Sequence, residues 1–157
     1  MHQLTLPATT GSLDRMVAFV DALSRAGGLS AVRAGRLRLA VEELVTNSIV
    51  HGFGTSRGPW SEILLEGCVE TDYVWLRISE DAPPFDSTRG HTPQDLDRPL
   101  GERTPGGLGL YLARQAVDRM AYDYANGRNH VTVYVGRGPT SAAEPESNAA
   151  PGERQQE

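Results

Sequence analysis

Helical periodicity dominates the first 52 residues of the chain. Apolar residues recur every three or four positions over residues 11–26, which predicts an amphipathic helix that a pair of glycines ends. Ser30 is a suitable N-cap for a second helix, which we expect to extend to Gly52. Before both helices, residues 4–6 alternate and are followed by a proline, which predicts a short edge strand.

The middle of the chain and its last third alternate with period two. Residues 63–69 and 74–78 are separated by a short polar segment and predict an antiparallel hairpin with one face on the core. Residues 121–124 and 131–135 predict a second hairpin around the dipeptide Asn126-Gly127, a strong turn signal. Helices together with hairpins indicate an α+β domain.

Three segments have no periodicity. Residues 52–59 are glycine-rich and predict a loop. Residues 82–106 contain five prolines and three glycines. A connection of this length is either disordered or functional, and we interpret it as a mobile lid over a site. The composition of residues 138–157 predicts a disordered acidic tail, which leaves one domain over residues 1–137.

The second predicted helix carries three polar residues at one spacing. Glu43, Asn47 and His51 stand four residues apart, so at about 100° per residue they form a nearly straight row beside an apolar stripe. A carboxylate in such a row can accept a proton, and an amide oxygen one turn later can bind Mg²⁺. The alternative is that Glu43 and Asn47 only lie at the border between the polar and apolar faces of an amphipathic helix. For His51 we expect a structural role at the helix end, with a direct phosphate contact as the alternative.

A glycine-rich segment, residues 104–109, leads into a third predicted helix. Glycines let a backbone approach a ligand closely, and the free N–H groups of a first helical turn favour an anion. The pattern therefore indicates phosphate binding, and the alternative is a simple glycine turn before a core helix. The apolar stripe expected on this helix comprises Leu110, Ala113, Val117 and Met120.

Composition narrows the function further. A net charge of -5 argues against a nucleic-acid surface, which needs clustered positive charge. The chain contains no lysine, which excludes a Walker A loop, the strand lysine of protein kinases and Schiff-base chemistry. No apolar run is long enough to span a bilayer and the first residues do not resemble a signal peptide, so we expect a cytoplasmic protein without a membrane partner. Cys68 lies in a predicted strand and is expected to be a small buried hydrophobe.

Three motifs occur in the order of an N box followed by two glycine boxes. They are residues 43–52, 80–86 and 106–110. They resemble the Bergerat ATP-binding fold of the GHKL superfamily, specifically the anti-sigma-factor serine kinases of bacterial partner-switching systems. The resemblance covers roughly residues 3–137. It implies an α+β fold, a two-layer sandwich of a mixed, mostly antiparallel sheet and about three helices.

The resemblance implies roles for residues of the first two motifs. Glu43 is then the general base that accepts the proton of a substrate serine, and Asn47 holds Mg²⁺ against the phosphates of ATP. Glu80 stands where the family usually has an aspartate that binds the adenine amino group, and Ala82 stands where it usually has glycine. Both departures add atoms where the purine is bound.

The third motif and the end of the domain supply the remaining implied contacts. Arg103, with Arg98 behind it, is the candidate for neutralising the γ-phosphate. Thr132 matches a hydroxyl that supports the adenine site in similar proteins. The other nucleotide-binding residues that the resemblance implies are Phe85, Gly107, Leu108, Gly109 and Leu110.

The resemblance implies an ATP-dependent serine protein kinase and anti-sigma-type regulator. Such a protein binds a sigma factor or similar regulator and phosphorylates a STAS-type anti-anti-sigma partner, and relatives of this kind commonly form homodimers. The alternative is a catalytically weak or inactive module of the same fold that acts by stoichiometric sequestration; the Glu80 and Ala82 departures favour it, whereas the Glu43 and Asn47 pair favours the kinase. A histidine-kinase catalytic fragment is a third option, disfavoured because no phosphoacceptor segment precedes the domain.

Overall fold

The computed structural model describes residues 1–52, 61–90 and 108–139. In chain order the main elements are β1 (His2–Pro7), α1 (Leu13–Ala26), α2 (Ala31–Asn47), β2 (Glu62–Val69), β3 (Tyr73–Asp81), α3 (Leu108–Ala116), β4 (Arg119–Ala125) and β5 (Arg128–Gly136). A 3₁₀ turn, Thr10–Ser12, precedes α1, and a π-helical turn, Ser48–Gly52, extends α2 to the predicted end of the second helix.

The strands form one sheet in the order β1-β2-β3-β5-β4, and each of these neighbouring pairs is antiparallel. The register places Leu65 opposite Ile78 and Leu76 opposite Val133, so the apolar residues of the central strands share one face. Buried residues of α1 and α2, among them Met16 and Leu37, belong to the same core cluster. The helices therefore cover one face of the sheet, and the expected two-layer α+β fold is confirmed. The expectation of a mixed sheet is wrong for the described strands, because each of them is joined to its neighbour in the antiparallel direction.

The ends of the first two helices follow the capping residues in the sequence. Gly28 has a φ of 61°, and its N–H donates to the carbonyl of Arg25, which ends α1 in a left-handed residue that suits glycine. The side chain of Ser30 accepts a hydrogen bond from the Arg33 N–H at 3.3 Å. Both predicted boundaries are thereby confirmed.

A glycine in β2 sets the distance between the sheet and α1. Gly67 lies on the buried face of β2, and a Cβ atom at this position would overlap the side chain of Leu23. Because glycine leaves that volume free, Leu23 packs directly on the strand backbone.

The predicted second hairpin is confirmed. Asn126 and Gly127 have φ values of 54° and 74° and connect β4 to β5 in a two-residue turn. Two consecutive residues with positive φ are the signature of the type I′ turn, which matches the twist of the strands it joins.

The apolar stripe predicted for the third helix is wrong at its C-terminal end. α3 ends at Ala116, and Met120 lies in β4 opposite Val133. The Asp118 carboxylate accepts a hydrogen bond from the Gly136 N–H at 2.6 Å, which ties the bend after the helix to the end of β5. Met120 fits a helical spacing from residue 113 and also begins the period-two pattern of β4, so the apolar spacing alone does not separate the two elements.

Several predicted features lie outside the described residues, namely the loop at 53–59, the lid positions 91–106 and the tail from 140 onward. Within the part of the chain that the structure describes, no helix combines the length and the apolar composition needed to cross a membrane.

Candidate functional site

A cavity lies between the C-terminal end of α2 and the adjoining ends of β3 and β5. Its wall is formed by these three elements and by the loop that follows β3. The described residues that line it are Leu44, Asn47, Ser48, Ile78, Glu80, Phe85, Ser87, Asn129 and Val131. Its volume is about 20 Å³, which is room for about one water molecule.

The helical row predicted on α2 contacts both the cavity and α3. Asn47 lines the cavity, and Glu43 lies one turn earlier and is half-buried. A Cβ atom at Gly109 would overlap the Glu43 carboxylate, so the first turn of α3 approaches this carboxylate without an intervening side chain. The structure thus brings residues of the first and third motifs into direct contact, as a shared site requires.

Glu80 and Asp81 end β3 and point to opposite faces of the sheet. Glu80 stands opposite Asn129 and lines the cavity on the face that the helices cover. Asp81 stands opposite Arg128 on the other face, where its carboxylate accepts a hydrogen bond from the Arg128 Nε at 2.7 Å. This alternation leaves Glu80, and not its neighbour, as the carboxylate that a ligand in the cavity meets.

The loop after β3 is held against the sheet by one buried amide. Asn129 is 2% exposed, and its side chain makes three hydrogen bonds with described residues. Its Nδ2 donates to the Pro83 carbonyl at 2.9 Å, and its Oδ1 accepts from the Phe85 N–H at 2.9 Å and from the Tyr122 hydroxyl at 2.7 Å. We call this set of bonds the Asn129 clamp, and it fixes the backbone that carries Ala82 and Phe85.

The Tyr122 hydroxyl keeps its proton in this arrangement. Partial burial, helped by the nearby Asp86 carboxylate, raises the pKa of the Tyr122 phenol above its ordinary value and outweighs the opposing backbone contact at Phe85. A protonated phenol donates to the Asn129 Oδ1, so the clamp is complete at neutral pH.

The prediction for Thr132 needs correction. Thr132 stands opposite Arg77 on the face of the sheet that the helices do not cover, and its hydroxyl accepts a hydrogen bond from the Arg77 Nε at 3.3 Å. Strand side chains alternate between faces, so the neighbouring Val131 lines the cavity while Thr132 points away from it. Thr132 therefore does not contribute its hydroxyl to this site.

The remaining predicted residues divide between described and undescribed parts of the chain. Phe85 lines the cavity and is 55% exposed, and Ala82 is half-buried in the loop beside it. Leu108 and Leu110 are half-buried in the first turn of α3. Arg103 and Gly107, as well as Arg98, lie outside the described residues.

Six of the residues that line the cavity were not predicted as site residues, namely Leu44, Ser48, Ile78, Ser87, Asn129 and Val131. Because strand residues alternate between faces, Asn129 is expected on the same buried face of β5 as Val131 and Val133. A polar residue at a buried position is unusual, and this could have identified Asn129 from the sequence. Ser87 carried no such signal, because it lies in a loop without periodicity. Its burial depends on packing that the sequence pattern does not show.

The chemistry of the wall fits the adenine nucleotide and the Mg²⁺ that the resemblance implies. Leu44, Ile78 and Val131 offer apolar surface for a flat ring, and the Glu80 carboxylate can accept a hydrogen bond from an exocyclic amino group. The Asn47 side chain offers an amide oxygen, a ligand that Mg²⁺ accepts beside phosphate oxygens. The cavity is smaller than a purine, so its wall must open when a purine binds.

Comparisons with known proteins found similar sequences. The sequence matches the family described as histidine kinase-like ATPase domain over residues 6–135. It is 30% identical over 137 residues to the serine-protein kinase RsbW of Listeria monocytogenes serovar 1/2a, a match that covers 84% of this chain and 85% of that protein. It is 32% identical over 111 residues to the serine/threonine-protein kinase BtrW of Bordetella bronchiseptica, a match that covers 71% of this chain and 72% of that protein.

A solved structure has a similar fold. The crystal structure of the RsbU and RsbW domains of a Mycobacterium tuberculosis protein superposes with a TM-score of 0.53 at 14% sequence identity. The match covers 86% of this chain, which spans 32% of that longer one, and at this identity it concerns the fold alone. The family match and the sequence relatives lead to one assignment: the chain belongs to the histidine kinase-like ATPase domain family and, within it, to the group of anti-sigma-factor serine kinases.

Proposed function

We propose that this chain is an ATP-binding serine protein kinase that acts as an anti-sigma-type regulator. The observation that carries the proposal is the position of Asn47 in the wall of a cavity that Glu80 also lines, with Glu43 one turn away against the glycine of α3. In this proposal the phosphates bind on the Asn47 side, the adenine binds on the Glu80 side, and the Glu43 carboxylate lies beside the phosphates.

The chain's own residues have distinct tasks in phosphoryl transfer. Bound ATP with Mg²⁺ supplies the phosphoryl group and neutralises part of its charge. Asn47 would hold the metal ion through its amide oxygen, and the Glu43 carboxylate would accept the proton of the substrate serine hydroxyl. The first turn of α3 would offer backbone N–H groups to the phosphates. Such a site works mainly by alignment and charge neutralisation, so these few groups suffice.

The proposed partners are proteins. The kinase would bind a sigma factor or similar regulator and phosphorylate a serine of a STAS-type anti-anti-sigma protein. The names of the RsbW and BtrW relatives, both serine or serine/threonine protein kinases, support this substrate class. A sigma factor acts on RNA polymerase in the cytoplasm, so the proposal also places this chain there, and a homodimer remains an expectation from the resemblance.

Phosphotransfer from labelled ATP to a STAS-type protein of the same genome tests the proposal. We expect Glu43→Ala to lower the transfer rate by about 100-fold or more, because general-base catalysis contributes about 10²–10⁴-fold, while ATP binding stays mostly intact. The matched control is Glu42→Ala, since Glu42 is the preceding residue of α2 and pairs with Arg38 at 2.9 Å on the helix surface.

The outcome of that assay separates the kinase from a sequestering module. Transfer to serine that survives in Glu42→Ala and is lost in Glu43→Ala supports the kinase. If the wild-type chain binds the regulator and the STAS-type protein but transfers no label, phosphotransfer is absent and the protein acts by stoichiometric sequestration.

A further inference from the structure

The tip of the second hairpin carries the dipeptide Asn126-Gly127, which has a chemistry of its own. Both residues are exposed, and their φ values of 54° and 74° form the two-residue turn between β4 and β5. Asparagine is a chemically labile residue. When glycine follows it, the next backbone nitrogen can reach the asparagine side chain with little steric hindrance, because glycine has no Cβ atom. The dipeptide can therefore react with itself, independently of any bound nucleotide.

The groups that would react are not held by other contacts. The paired register of β4 and β5 ends at Ala125 and Arg128, so the Gly127 N–H lies outside the ladder of backbone hydrogen bonds. The Asn126 side chain makes no hydrogen bond with another residue that the structure describes. A Cβ atom at Gly127 would meet no atom within 4 Å, so there is open space beside the glycine. The two reacting groups are thus free to approach each other.

We propose that Asn126 is a site of spontaneous modification to isoaspartate. The Gly127 amide nitrogen attacks the Asn126 Cγ and forms an N–Cγ bond, which closes a succinimide ring. The Cγ–Nδ2 bond breaks, and the nitrogen leaves as ammonia with the proton that Gly127 loses. Water then opens the ring: attack at Cγ leaves aspartate in the original backbone, whereas attack at the backbone carbonyl carbon gives isoaspartate, in which the chain continues through Cβ and Cγ. Water is the co-reactant, and no electrons are transferred.

Isoaspartate at this position would disturb the alignment of the two strands. It adds one atom to the backbone of a two-residue turn whose conformation matches the twist of the strands, and such a short turn has no spare length. Asn129 belongs to the second ladder pair from the turn, where it stands opposite Tyr124. An aspartate in a normal backbone is different, because Asp-Gly favours the same type I′ turn. The isoaspartate product is therefore the one that displaces β5 against β4.

The Asn129 clamp connects this turn to the candidate site. The Tyr122 hydroxyl on β4 donates to the Asn129 Oδ1 on β5 at 2.7 Å, so this bond joins the two strands that the turn aligns. The same amide holds the loop after β3 through Pro83 and Phe85. A shift of β5 against β4 therefore releases part of the cavity wall. The modified chain should lose nucleotide affinity, which limits the working lifetime of the regulator, and this consequence rests on the proposed ATP-binding function.

Incubation of the full chain at physiological pH and temperature, followed by peptide mapping with mass spectrometry, tests the modification. We expect isoaspartate to accumulate at Asn126, whereas Asn47 and Asn129, which are followed by serine and histidine, stay unchanged in the same digest. Asn126→Gly is the matched variant, because it removes the reacting amide and glycine suits the φ of 54° at this position. A synthetic peptide of residues 120–132 gives the rate without the fold. If the peptide converts and the folded chain does not, the fold protects Asn126 and the proposal is wrong.

The effect of the modification is measured on the isoaspartate-rich fraction, separated from the unmodified chain by ion exchange. This fraction should melt at a lower temperature and raise the dissociation constant for Mg-ATP by about 5- to 20-fold, the worth of about one hydrogen bond. Freshly prepared Asn126→Asp carries the added charge on a normal backbone and should bind like the wild type. An unchanged melting temperature in the isoaspartate-rich fraction would contradict the link to the Asn129 clamp. If the fresh wild type binds no ATP, the proposed function fails, whereas the peptide map and the melting temperature still decide this inference.

Discussion

Asn129 is the residue on which the shape of the candidate site depends most. Its amide joins β5 to the loop after β3 and to the hydroxyl of Tyr122, so one side chain links three separate segments. A buried amide stabilises the fold when its donors and acceptors are paired. A substitution of the same size that removes one donor therefore still breaks a hydrogen bond of the Asn129 clamp.

Asn129→Asp is expected to loosen the loop and weaken nucleotide binding. Aspartate keeps the acceptor for Phe85 and Tyr122 but loses the donor to the Pro83 carbonyl and places a carboxylate beside that oxygen. We expect a loss of about 1–3 kcal/mol in the free energy of unfolding and a higher dissociation constant for ATP, measured by urea unfolding and by titration. Asn126→Gly in the adjacent turn is the control, since its φ of 54° suits glycine. Unchanged stability and affinity in Asn129→Asp would contradict the clamp.

Two adjacent carboxylates provide a second test at this scale. Glu80 lines the cavity, whereas Asp81 forms an exposed ion pair with Arg128 on the far face of the sheet. We expect Glu80→Gln to weaken adenine nucleotide binding by about 10-fold, the worth of about one charge-assisted hydrogen bond. Asp81→Asn should leave binding unchanged and alter stability by less than about 1 kcal/mol, as is usual for exposed pairs. Equal losses of affinity in both variants would mean that the adenine does not bind in this cavity.

The face of the sheet on which each strand residue lies could be predicted from the sequence, whereas hydrogen bonds between distant segments could not. The alternation of β5 places Asn129 with Val131 and Val133, and it equally places Thr132 on the opposite face. The family resemblance implied that the Thr132 hydroxyl faces the site, whereas strand alternation places it on the opposite face. The structure agrees with the alternation. The three hydrogen bonds of Asn129 join residues that are up to 46 positions apart in sequence, and no local pattern contains that information.

At the scale of elements, the packing of α3 on α2 brings the third motif against the first. At Gly109 the Glu43 carboxylate occupies the space that a side chain would need. The glycine run before α3 suggested a close approach to phosphate, and the structure adds that Gly109 also makes room for the proposed base.

Gly109→Ala should therefore disturb the site. The added methyl group would displace the Glu43 side chain or push α3 outward, and we expect phosphotransfer to fall at least about 10-fold, with a destabilisation of about 1–3 kcal/mol typical of overpacking. The control is Gly35→Ala on α2, where a Cβ atom would meet no atom within 4 Å. That change should stabilise the helix by about 0.5–1 kcal/mol and leave activity unchanged. Kinetics and thermal unfolding of the two variants give the comparison, and full activity in Gly109→Ala would contradict the contact.

Element types were predictable from periodicity, but one boundary was not. The capping residues Gly28 and Ser30 and the Asn126-Gly127 turn gave correct positions because each has a specific local conformation. The end of α3 was misplaced because Met120 satisfies both a helical and a strand spacing. The tie between Asp118 and Gly136, which fixes the bend there, is a contact 18 residues apart.

At the scale of the whole molecule, the fold forms a cavity between one helix and one end of the sheet, and residues of separate motifs meet there. Asn47 comes from α2, Glu80 from β3 and Asn129 from β5, while Gly109 at the start of α3 approaches from the side of Glu43. The order of three short motifs predicted this convergence, because the family resemblance supplies a fold in which they adjoin. The narrowness of the cavity was not predictable, since it depends on how the loop after β3 packs.

Calorimetric titration of the protein with Mg-ATP tests the nucleotide site most directly. The proposed site predicts binding in the micromolar range, about -8 kcal/mol, that requires Mg²⁺ and weakens at least about 10-fold in Asn47→Ala because the metal loses its amide ligand. Thr46→Ala, a change at the exposed neighbouring position on α2, should bind like the wild type. No binding at millimolar Mg-ATP would mean that the cavity does not open for a purine, and the account of this chain as an ATP-dependent kinase would be wrong.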